Sequence, residues 1–353
     1  MTDFNWGHWG LFTILILVSV LTVVMGFIWF ERRALGRMQI RLGPNRAGPF
    51  GLLQPLADVL KVLIKEDIVP TKADKIVHWL APIVCLVPAL MIFAVVPFQD
   101  GALLADLNIG LLYVIAVSSV STLGIFMAGW ASNNKYTLIA AIRDVAAVVS
   151  YEIPLVLSLV GVVLIAGSMS LNQIVQWQGI PLILWQPLGF FIFFVAGLAE
   201  INRTPFDLME ADSEIVAGYH TEYSGMKFAL FFLMEYAEAL ALSALVATFF
   251  LGGWRGPFLP PWLWLLFKIV LVFFVIMWIR ATVPRFRIDQ LMALAWKFLF
   301  PLALLNLVIT AIEVLVWPEV LPVVLIPVNI VVAGILLLLF SRSFKLGWGR
   351  VEV

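Results

Sequence analysis

The sequence predicts an all-α fold, a polytopic bundle of transmembrane helices. Of its 353 residues, 63% are hydrophobic and only 12% are charged. A soluble domain carries about 25% charged residues, so most of this chain is expected to face lipid. The apolar residues are also gathered into runs of about 20, the length that crosses a bilayer as a helix.

Nine such runs predict nine spans in a single membrane domain that covers residues 1–353. The expected spans are residues 9–30, 77–98, 109–130, 147–167, 186–203, 226–251, 262–283, 293–317 and 320–341. No basic region precedes the first run, so we expect an anchor there and not a cleaved signal peptide. Connections on one side are mostly short, whereas those on the other are long and charged.

The basic residues predict the orientation of the chain. When the connections are assigned alternately to the two sides, only Arg255 and Lys268 of the 22 lysines and arginines fall towards the side with short connections. Lys and Arg collect on the cytoplasmic side of membrane proteins. We therefore expect the N-terminus outside and the C-terminus, with the long charged connections, in the cytoplasm.

The first long connection contains a predicted amphipathic helix, residues 51–66. One face collects seven apolar residues: Leu52, Leu53, Leu56, Val59, Leu60, Leu63 and Ile64. The other face carries Gln54, Asp58, Lys61 and Lys65. Such a helix is too short to span and is expected to lie along the membrane interface. Two interpretations stay open: a surface anchor, or a helix whose polar face, with Asp58 and Lys61 one turn apart, lines a cavity.

The connection at residues 199–223 is unusually acidic. It holds six of the 22 acidic residues against the single base Arg203; they are Glu200, Asp207, Glu210, Asp212, Glu214 and Glu222. Asp207 with Glu210 resembles a capping box, which predicts a short helix at about 208–217. Glu210 and Glu214 would then lie one turn apart and repel each other when both are ionised. The alternative is a solvated acidic loop.

Further carboxylates lie within the predicted spans. Glu152 opens the fourth span, Glu200 closes the fifth, and Glu235 and Glu238 lie three residues apart in the sixth. An ionisable group in a spanning helix costs about 2.5–3.5 kcal/mol on insertion scales, so it usually faces a partner or a wet path. We interpret these groups as a chain of carboxyls that passes protons, with a purely structural role as the alternative.

A last charged connection carries Arg280, Arg285, Arg287 and Asp289. Two interpretations are open. Basic residues are expected on the cytoplasmic side of any span, or these arginines lie at a cavity mouth or bind a peripheral partner. The single cysteine, Cys85, excludes an internal disulfide, and no Cys and His cluster predicts a metal site. The glycines of "RLGPNRAGPFG" follow no strand and precede no Gly-Lys-Ser/Thr, which argues against a nucleotide-binding loop.

Four stretches together resemble one family, the quinone-site membrane subunit (known as 1 or H) of respiratory complex I, NADH:quinone oxidoreductase. They are "ERRALGRMQIRLGPNRAGPFGLLQPLADVLKVLIKED", "SNNKYTLIAAIRDVAAVVSYEIP", "AEINRTPFDLMEADSEIVAGYHTEYSGMKFALFFLMEYAE" and "RATVPRFRIDQLMALAWKFLFP". They occur in the family's order. The resemblance implies a subunit of eight or nine helices that forms a quinone tunnel and chamber with peripheral subunits and couples quinone reduction to proton translocation.

The resemblance also implies roles for individual residues. For the quinone chamber they are Glu31, Arg32, Arg41, Asp58, Arg280, Arg285 and Asp289. For a coupling loop they are Arg203, Asp207, Glu210, Asp212 and Glu214, and for a proton path Glu152, Glu200 and Glu235. Three positions depart from the family pattern: Met209 replaces a proline, Asp212 a glutamate, and Ala147 a frequent glutamine.

The same resemblance implies the partners and cofactors. Quinone is the substrate, no metal or covalent cofactor lies on this chain, and FMN and iron–sulfur clusters are expected only on other subunits. Partners are the other complex I subunits, including the cluster-bearing peripheral ones and small membrane subunits, and the lipid bilayer, with no nucleic acid. The extra segment 320–341 indicates a bacterial member, and hence the bacterial cytoplasmic (inner) membrane.

Two alternatives to this function remain open. The first is the equivalent subunit of a related membrane oxidoreductase driven by ferredoxin, a deazaflavin or hydrogen. The second is an independent ion or proton carrier, against which the long charged cytoplasmic loops argue.

Overall fold

The computed structural model describes residues 6–207, 217–317 and 324–343. In these ranges the secondary structure is helical, with one isolated β-bridge between Gln99 and Ala102. The α-helices are α1 Trp6–Met38, α2 Gln54–Ile64, α3 Lys75–Met91, α4 Gly110–Ala131, α5 Lys135–Ala166, α6 Leu171–Trp177, α7 Leu182–Trp185, α8 Pro187–Glu200, α9 Gly225–Phe250, α10 Pro261–Thr282, α11 Ile288–Ala293, α12 Phe300–Val316 and α13 Leu325–Ser343. The prediction of an all-α bundle is confirmed.

Seven of the described helices are long and apolar enough to cross a membrane. In the last of these, a π-helical segment, Leu294–Leu299, joins α11 to α12. Two further apolar helices are shorter, Pro187–Glu200 and Leu325–Phe340, and they correspond to the fifth and ninth predicted spans.

The boundaries of two predicted spans differ from the observed helices. Helix α5 begins at Lys135, 12 residues before the predicted start at 147, because Asn134 caps it by accepting a hydrogen bond from the Tyr136 amide. The prediction excluded this part because Lys135, Arg143 and Asp144 are charged. The predicted fifth span, 186–203, is the 14-residue helix α8, and the short helices α6 and α7 precede it.

The helices pack closely where side chains are small. A Cβ added to Gly124 of α4 would overlap the Cys85 sulfur of α3, so the two backbones approach each other more closely than any larger residue permits. Helices α1 and α10 meet through stacked rings of Phe27 and Phe273, with centroids 3.8 Å apart. Of the seven described spans, helix α9 is the most enclosed, with 67% of the residues in its apolar stretch buried.

The predicted amphipathic helix is observed as α2, preceded by a 3-10 turn, Pro49–Gly51. Gly51 has φ 76°, and a Cβ there would overlap the Pro44 carbonyl oxygen, so the turn into α2 requires glycine. The apolar side chains of α2 are exposed on the isolated chain, including Leu60 and Leu63 at 55% and 56%. Its location at the membrane interface stays a prediction.

Candidate functional site

A buried carboxylate joins three distant parts of the chain. Glu31 of α1 is 3% exposed and accepts a hydrogen bond from Arg203 Nη1 at 3.2 Å. It also accepts one from Arg280, in the last turn of α10. The Arg203 guanidinium carbon lies 4.2 Å from the ring centroid of Tyr236 in α9. Two guanidinium groups thus share one buried carboxylate, and the charge of Glu235 also acts on Arg203.

The neighbouring Arg32 turns to the other side of α1 and contacts Asp58 of α2. Asp58 also accepts a hydrogen bond from Gln54 Nε2 at 2.9 Å. This ion pair borders a groove of about 590 Å³ between α1, α2 and α9. Most of the lining is apolar, from Leu21, Met25 and Ile28 of α1, Pro55, Val59 and Val62 of α2, and Met226, Phe228, Ala229, Leu230, Phe232 and Leu233 of α9. The groove is thus apolar with a charged border.

A second ion pair lies in the acidic connection. Asp207 is 4% exposed and accepts a hydrogen bond from Arg285 Nη2 at 2.9 Å. The His220 ring lies near this carboxylate, in the loop before α9. Burial lowers the pKa of His220 to about 4, although the negative charge of Asp207 acts in the opposite direction. At neutral pH the imidazole beside the ion pair is therefore uncharged.

Two of the predicted chamber residues lie apart from these pairs. Arg41 is exposed, and its Nε donates to Gln39 Oε1 at 2.7 Å. Asp289 is also exposed and forms a 3.4 Å ion pair with Arg287. The structure therefore brings Glu31, Arg203 and Arg280 together, pairs Arg32 with Asp58 and Asp207 with Arg285, and leaves Arg41 and Asp289 at the surface of the chain.

The carboxylates within the helices are paired with serines of α4. Ser119 donates to Glu152. The Ser118 and Ser121 hydroxyls lie beside Glu200 and Glu238, and they donate to backbone carbonyls of their own helix. Glu200, Glu238, Ser118 and Ser121 line an internal cavity of about 50 Å³. The rest of its lining is apolar, so these four residues are the polar groups that a water molecule there would bind. Serine and water both donate and accept protons, so the cluster has the chemical groups that a proton-conducting network needs.

The sequence analysis missed one buried carboxylate. Asp144 of α5 is 2% exposed and accepts a hydrogen bond from the Asn202 side chain. Its Oδ2 has no hydrogen-bond partner among the described residues. The signal lay in the spacing, since Asp144 precedes Glu152 by eight residues, about two helical turns. It was overlooked because the fourth span was expected to begin after Asp144. Glu238 also belongs to this cluster; the spacing within its span included it in the predicted chain of carboxyls, whereas the path implied by the family resemblance did not.

The buried carboxylates Asp144 and Asp207 and the half-buried ones in the helices are close enough to act on one another electrostatically. The charges of Asp207 and Glu235 act on Asp144, those of Glu200, Glu235 and Asp144 act on Glu238, and that of Glu152 acts on Glu200. These groups thus neighbour one another from Asp207 to Glu152. The predicted residues Glu210, Asp212 and Glu214, the departure at Met209, and most of the helix predicted at 208–217 lie outside the described residues. Within the described ranges, no group of three or more His, Cys, Asp or Glu residues could hold a metal ion.

The chain is similar to known proteins along most of its length. A profile described as NADH dehydrogenase matches residues 11–311. The chain belongs to the NADH dehydrogenase family. This confirms the family resemblance predicted from the four motif stretches.

Relatives within the NADH dehydrogenase family are similar along most of their length. The NADH-quinone oxidoreductase H subunit of Dehalococcoides mccartyi (strain CBDB1) is 62% identical over 353 residues, which is all of both chains. The H subunit of Brevibacillus brevis is 51% identical, covering 87% of this chain and 95% of its own. The second H subunit of Syntrophobacter fumaroxidans is 51% identical, covering 85% and 96%.

Proposed function

We propose that this chain is the H subunit of an NADH-quinone oxidoreductase, the function named for its relatives. In this role it contributes the quinone tunnel and chamber and couples quinone reduction to proton translocation. The observation that carries the proposal is the arrangement of the charged residues. An apolar groove bordered by Arg32 and Asp58 lies beside the buried Glu31, Arg203 and Arg280 cluster, because Glu31 and Arg32 are consecutive in α1.

The groove suits an isoprenoid quinone. Its long hydrocarbon tail fits the apolar side chains of α1 and α9, and the polar headgroup suits the charged border at Arg32 and Asp58. Quinone would enter from the bilayer between α1 and α9, above α2. Small-molecule sites are typically apolar clefts of about 300–1,000 Å³ with a few polar groups, which is the composition found here.

The charged pairs have groups that quinone reduction requires. Each quinone takes up two electrons and two protons, and the electrons would come from an iron–sulfur cluster of a neighbouring peripheral subunit. The guanidinium groups of Arg203, Arg280 and Arg285 favour the negative charge that the electrons bring. Carboxyl groups would supply or sense the protons, and Asp207 and Glu31 are two buried ones that arginines position.

The buried carboxylates would carry the resulting change of charge or protonation into the membrane. The proposed series runs from Asp207, with Glu210, Asp212 and Glu214, through Asp144 and Glu235 to Glu238, Glu200 and Glu152. Its described members act on one another electrostatically. Interacting carboxyls titrate as a group, so protonation of one shifts the proton occupancy of the next. The series would end at neighbouring membrane subunits.

The remaining features of the proposal concern the assembly. FMN and the iron–sulfur clusters would be held by other subunits, and the charged cytoplasmic surface of this chain would dock the peripheral ones. The N-terminus would lie outside and the C-terminus in the cytoplasm, in a bacterial cytoplasmic membrane. The chain does not encode the electron donor, so a ferredoxin-, deazaflavin- or hydrogen-driven relative is distinguished by the proteins that co-purify with it.

The test of the quinone role is Asp58→Asn in the assembled complex. We expect inhibitor-sensitive NADH:quinone turnover to fall at least tenfold, while NADH:ferricyanide activity, which bypasses the chamber, is kept. The matched control is Asp100→Asn, an exposed acid on the predicted external side whose carboxylate accepts from Gln176 at 2.6 Å. Unchanged quinone turnover in Asp58→Asn would contradict the assignment, and so would an isolated chain that transports ions in vesicles.

A further inference from the structure

A second groove lies on the opposite side of α1 from the proposed quinone groove. It has a volume of about 730 Å³ and runs between α1 and α10 beneath the loop that leads to α2. Its walls are mainly aromatic and apolar: Trp29, Phe30, Ala34, Met38, Phe50, Leu52 and Phe274. Among the described residues, Arg33 and Arg37 are the charged ones that line it. Neither arginine has an acidic partner among the described residues.

The position of Arg33 is fixed by the surrounding structure. Its Nη1 donates to the Phe50 carbonyl at 2.8 Å, and the Trp29 Nε1 donates to the same oxygen at 3.1 Å. The guanidinium carbon lies 5.5 Å and 5.1 Å from the ring centroids of Trp29 and Phe50. The remaining donors of this planar group are held in place without a carboxylate to neutralise them. An arginine arranged in this way matches a phosphate, which guanidinium binds through two parallel hydrogen bonds.

The depth of the groove indicates where that phosphate comes from. Helix α1 has 33 residues, a length of about 50 Å at 1.5 Å per residue. The hydrocarbon core of a bilayer is about 30 Å thick, and about 40–45 Å with the headgroup regions. Arg33 and Arg37 lie one turn apart in the last two turns of this span, so they reach headgroup level. Trp29, one turn earlier, lies where indole rings collect at membrane interfaces.

The groove also continues into a surface suited to acyl chains. Phe30 and Phe274 pack with ring centroids 6.4 Å apart, and Phe274 is 38% exposed. Further along α10, on the same membrane-spanning segment, Leu271 and Phe267 are exposed as well. A two-chain lipid could therefore place its phosphate at the arginines and its chains along α10. A peptide partner would need an acidic group at the same point, which nothing in the apolar walls favours.

We propose that the α1/α10 groove is a binding site for one anionic phospholipid, with its phosphate between Arg33 and Arg37. The lipid would seal α1 to α10 on the side away from the quinone groove and hold the loop through Phe50. Because Glu31, Arg32 and Arg33 are consecutive, a lipid at Arg33 would also stabilise the helix end that carries the buried ion pairs of Glu31 and the partly exposed pair of Arg32 with Asp58. This site is separate from the proposed quinone groove and does not depend on it.

The experiment uses the purified complex in mixed micelles with a photoreactive phosphatidylglycerol whose diazirine lies near the glycerol end of one chain. Mass spectrometry should map the label to residues 27–38, 50–52 and 271–278. Unlabelled phosphatidylglycerol should compete at least tenfold better than phosphatidylcholine, because each basic residue near an anionic surface favours binding. Arg33→Gln with Arg37→Gln should remove that preference, and Arg46→Gln, an exposed arginine that does not line the groove, should keep it.

A charge-keeping variant separates binding from folding. Arg33→Lys with Arg37→Lys should retain most of the preference for phosphatidylglycerol. A variant that misfolds would no longer be labelled in this groove, whichever lipid competes. The proposal is overturned if phosphatidylcholine competes equally well in the unmodified complex. It is also overturned if the cross-links from this groove go to a neighbouring protein subunit and not to lipid.

Discussion

At the scale of the residue, Glu31 is the group on which most of the buried charge depends. Its carboxylate lies between Arg203 and Arg280 and is almost excluded from solvent. A buried charge is tolerated only when it is paired and hydrogen-bonded, because desolvation of an ion costs several kcal/mol. Removal of the single negative charge would leave two guanidinium groups facing each other in the same buried place.

The first prediction concerns this residue. Glu31→Gln should destabilise the chain by about 3–5 kcal/mol, the usual cost of breaking a buried ion pair. The measurement is the amount of this chain that stays in the assembled complex after a heat challenge, followed by native electrophoresis. Asp100→Asn, an acid-to-amide change at an exposed site, should change the retained amount little. Equal retention in the two variants would show that the cluster has no role in stability.

A second residue-scale prediction concerns His220. Its folded-state pKa of about 4 lies below the usual value of 6.5, because burial disfavours the charged ring. The unfolded chain therefore binds a proton near pH 6.5 while the folded chain does not, so stability falls as pH drops from about 7 towards 4. His220→Gln should weaken this dependence. If the thermal midpoint of the complex falls equally between pH 7 and pH 5 in both proteins, His220 is not its source.

At the scale of the element, small residues decide how closely the spans pack. Helices in a bilayer gain little from the hydrophobic effect, so close backbone approach through Gly and Ala matters more. Gly124 brings α4 against Cys85 of α3, and Ala128, on the same face, is completely buried. The serines beside Glu152, Glu200 and Glu238 are in the same helix α4, so this packing also positions the carboxylate cluster.

The element-scale prediction compares two glycine substitutions. Gly124→Ala should destabilise the complex by about 1–3 kcal/mol, since its new methyl group would overlap the Cys85 sulfur. Gly26→Ala in α1 has nothing within 4 Å of its new Cβ, and Ala favours a helix over Gly. That variant should be neutral or slightly stabilising. Thermal inactivation of quinone turnover measures both, and equal stability would contradict the packing argument.

Some helices could be predicted from the sequence more accurately than others. Long apolar runs predicted most spans, because length and composition carry that information. The start of α5 was predicted too late because the charged residues before position 147 were not expected inside a span. Asp144 is in fact buried against Asn202, and this pairing depends on residues far apart in sequence. Motifs indicated Glu31, Arg203 and Arg280 as important. They could not reveal the shared hydrogen bonds, which join positions 172 and 249 residues apart.

At the scale of the whole molecule, the charged residues form two neighbouring groups: ion pairs near the ends of the helices and carboxylates within the bundle. The ion pairs of Glu31, Asp58 and Asp207 all involve residues of the long connections or of the helix ends next to them, and the Arg32–Asp58 pair borders the apolar groove. Within the bundle, Asp144, Glu238, Glu200 and Glu152 are neighbouring carboxylates that act on one another electrostatically. The proposed function joins these features, because a charge change at the groove would alter the protonation of groups within the membrane.

The most direct test of this coupling uses Glu200→Gln and Glu238→Gln, singly and together, in the complex reconstituted into vesicles. The measurement is NADH-driven proton translocation beside NADH:quinone and NADH:ferricyanide turnover. We predict that proton translocation falls at least tenfold in the double variant while ferricyanide activity is unchanged, because an amide cannot carry the exchanged proton. Full quinone turnover with the same number of protons per electron as the unmodified complex would contradict a carboxylate path through this chain.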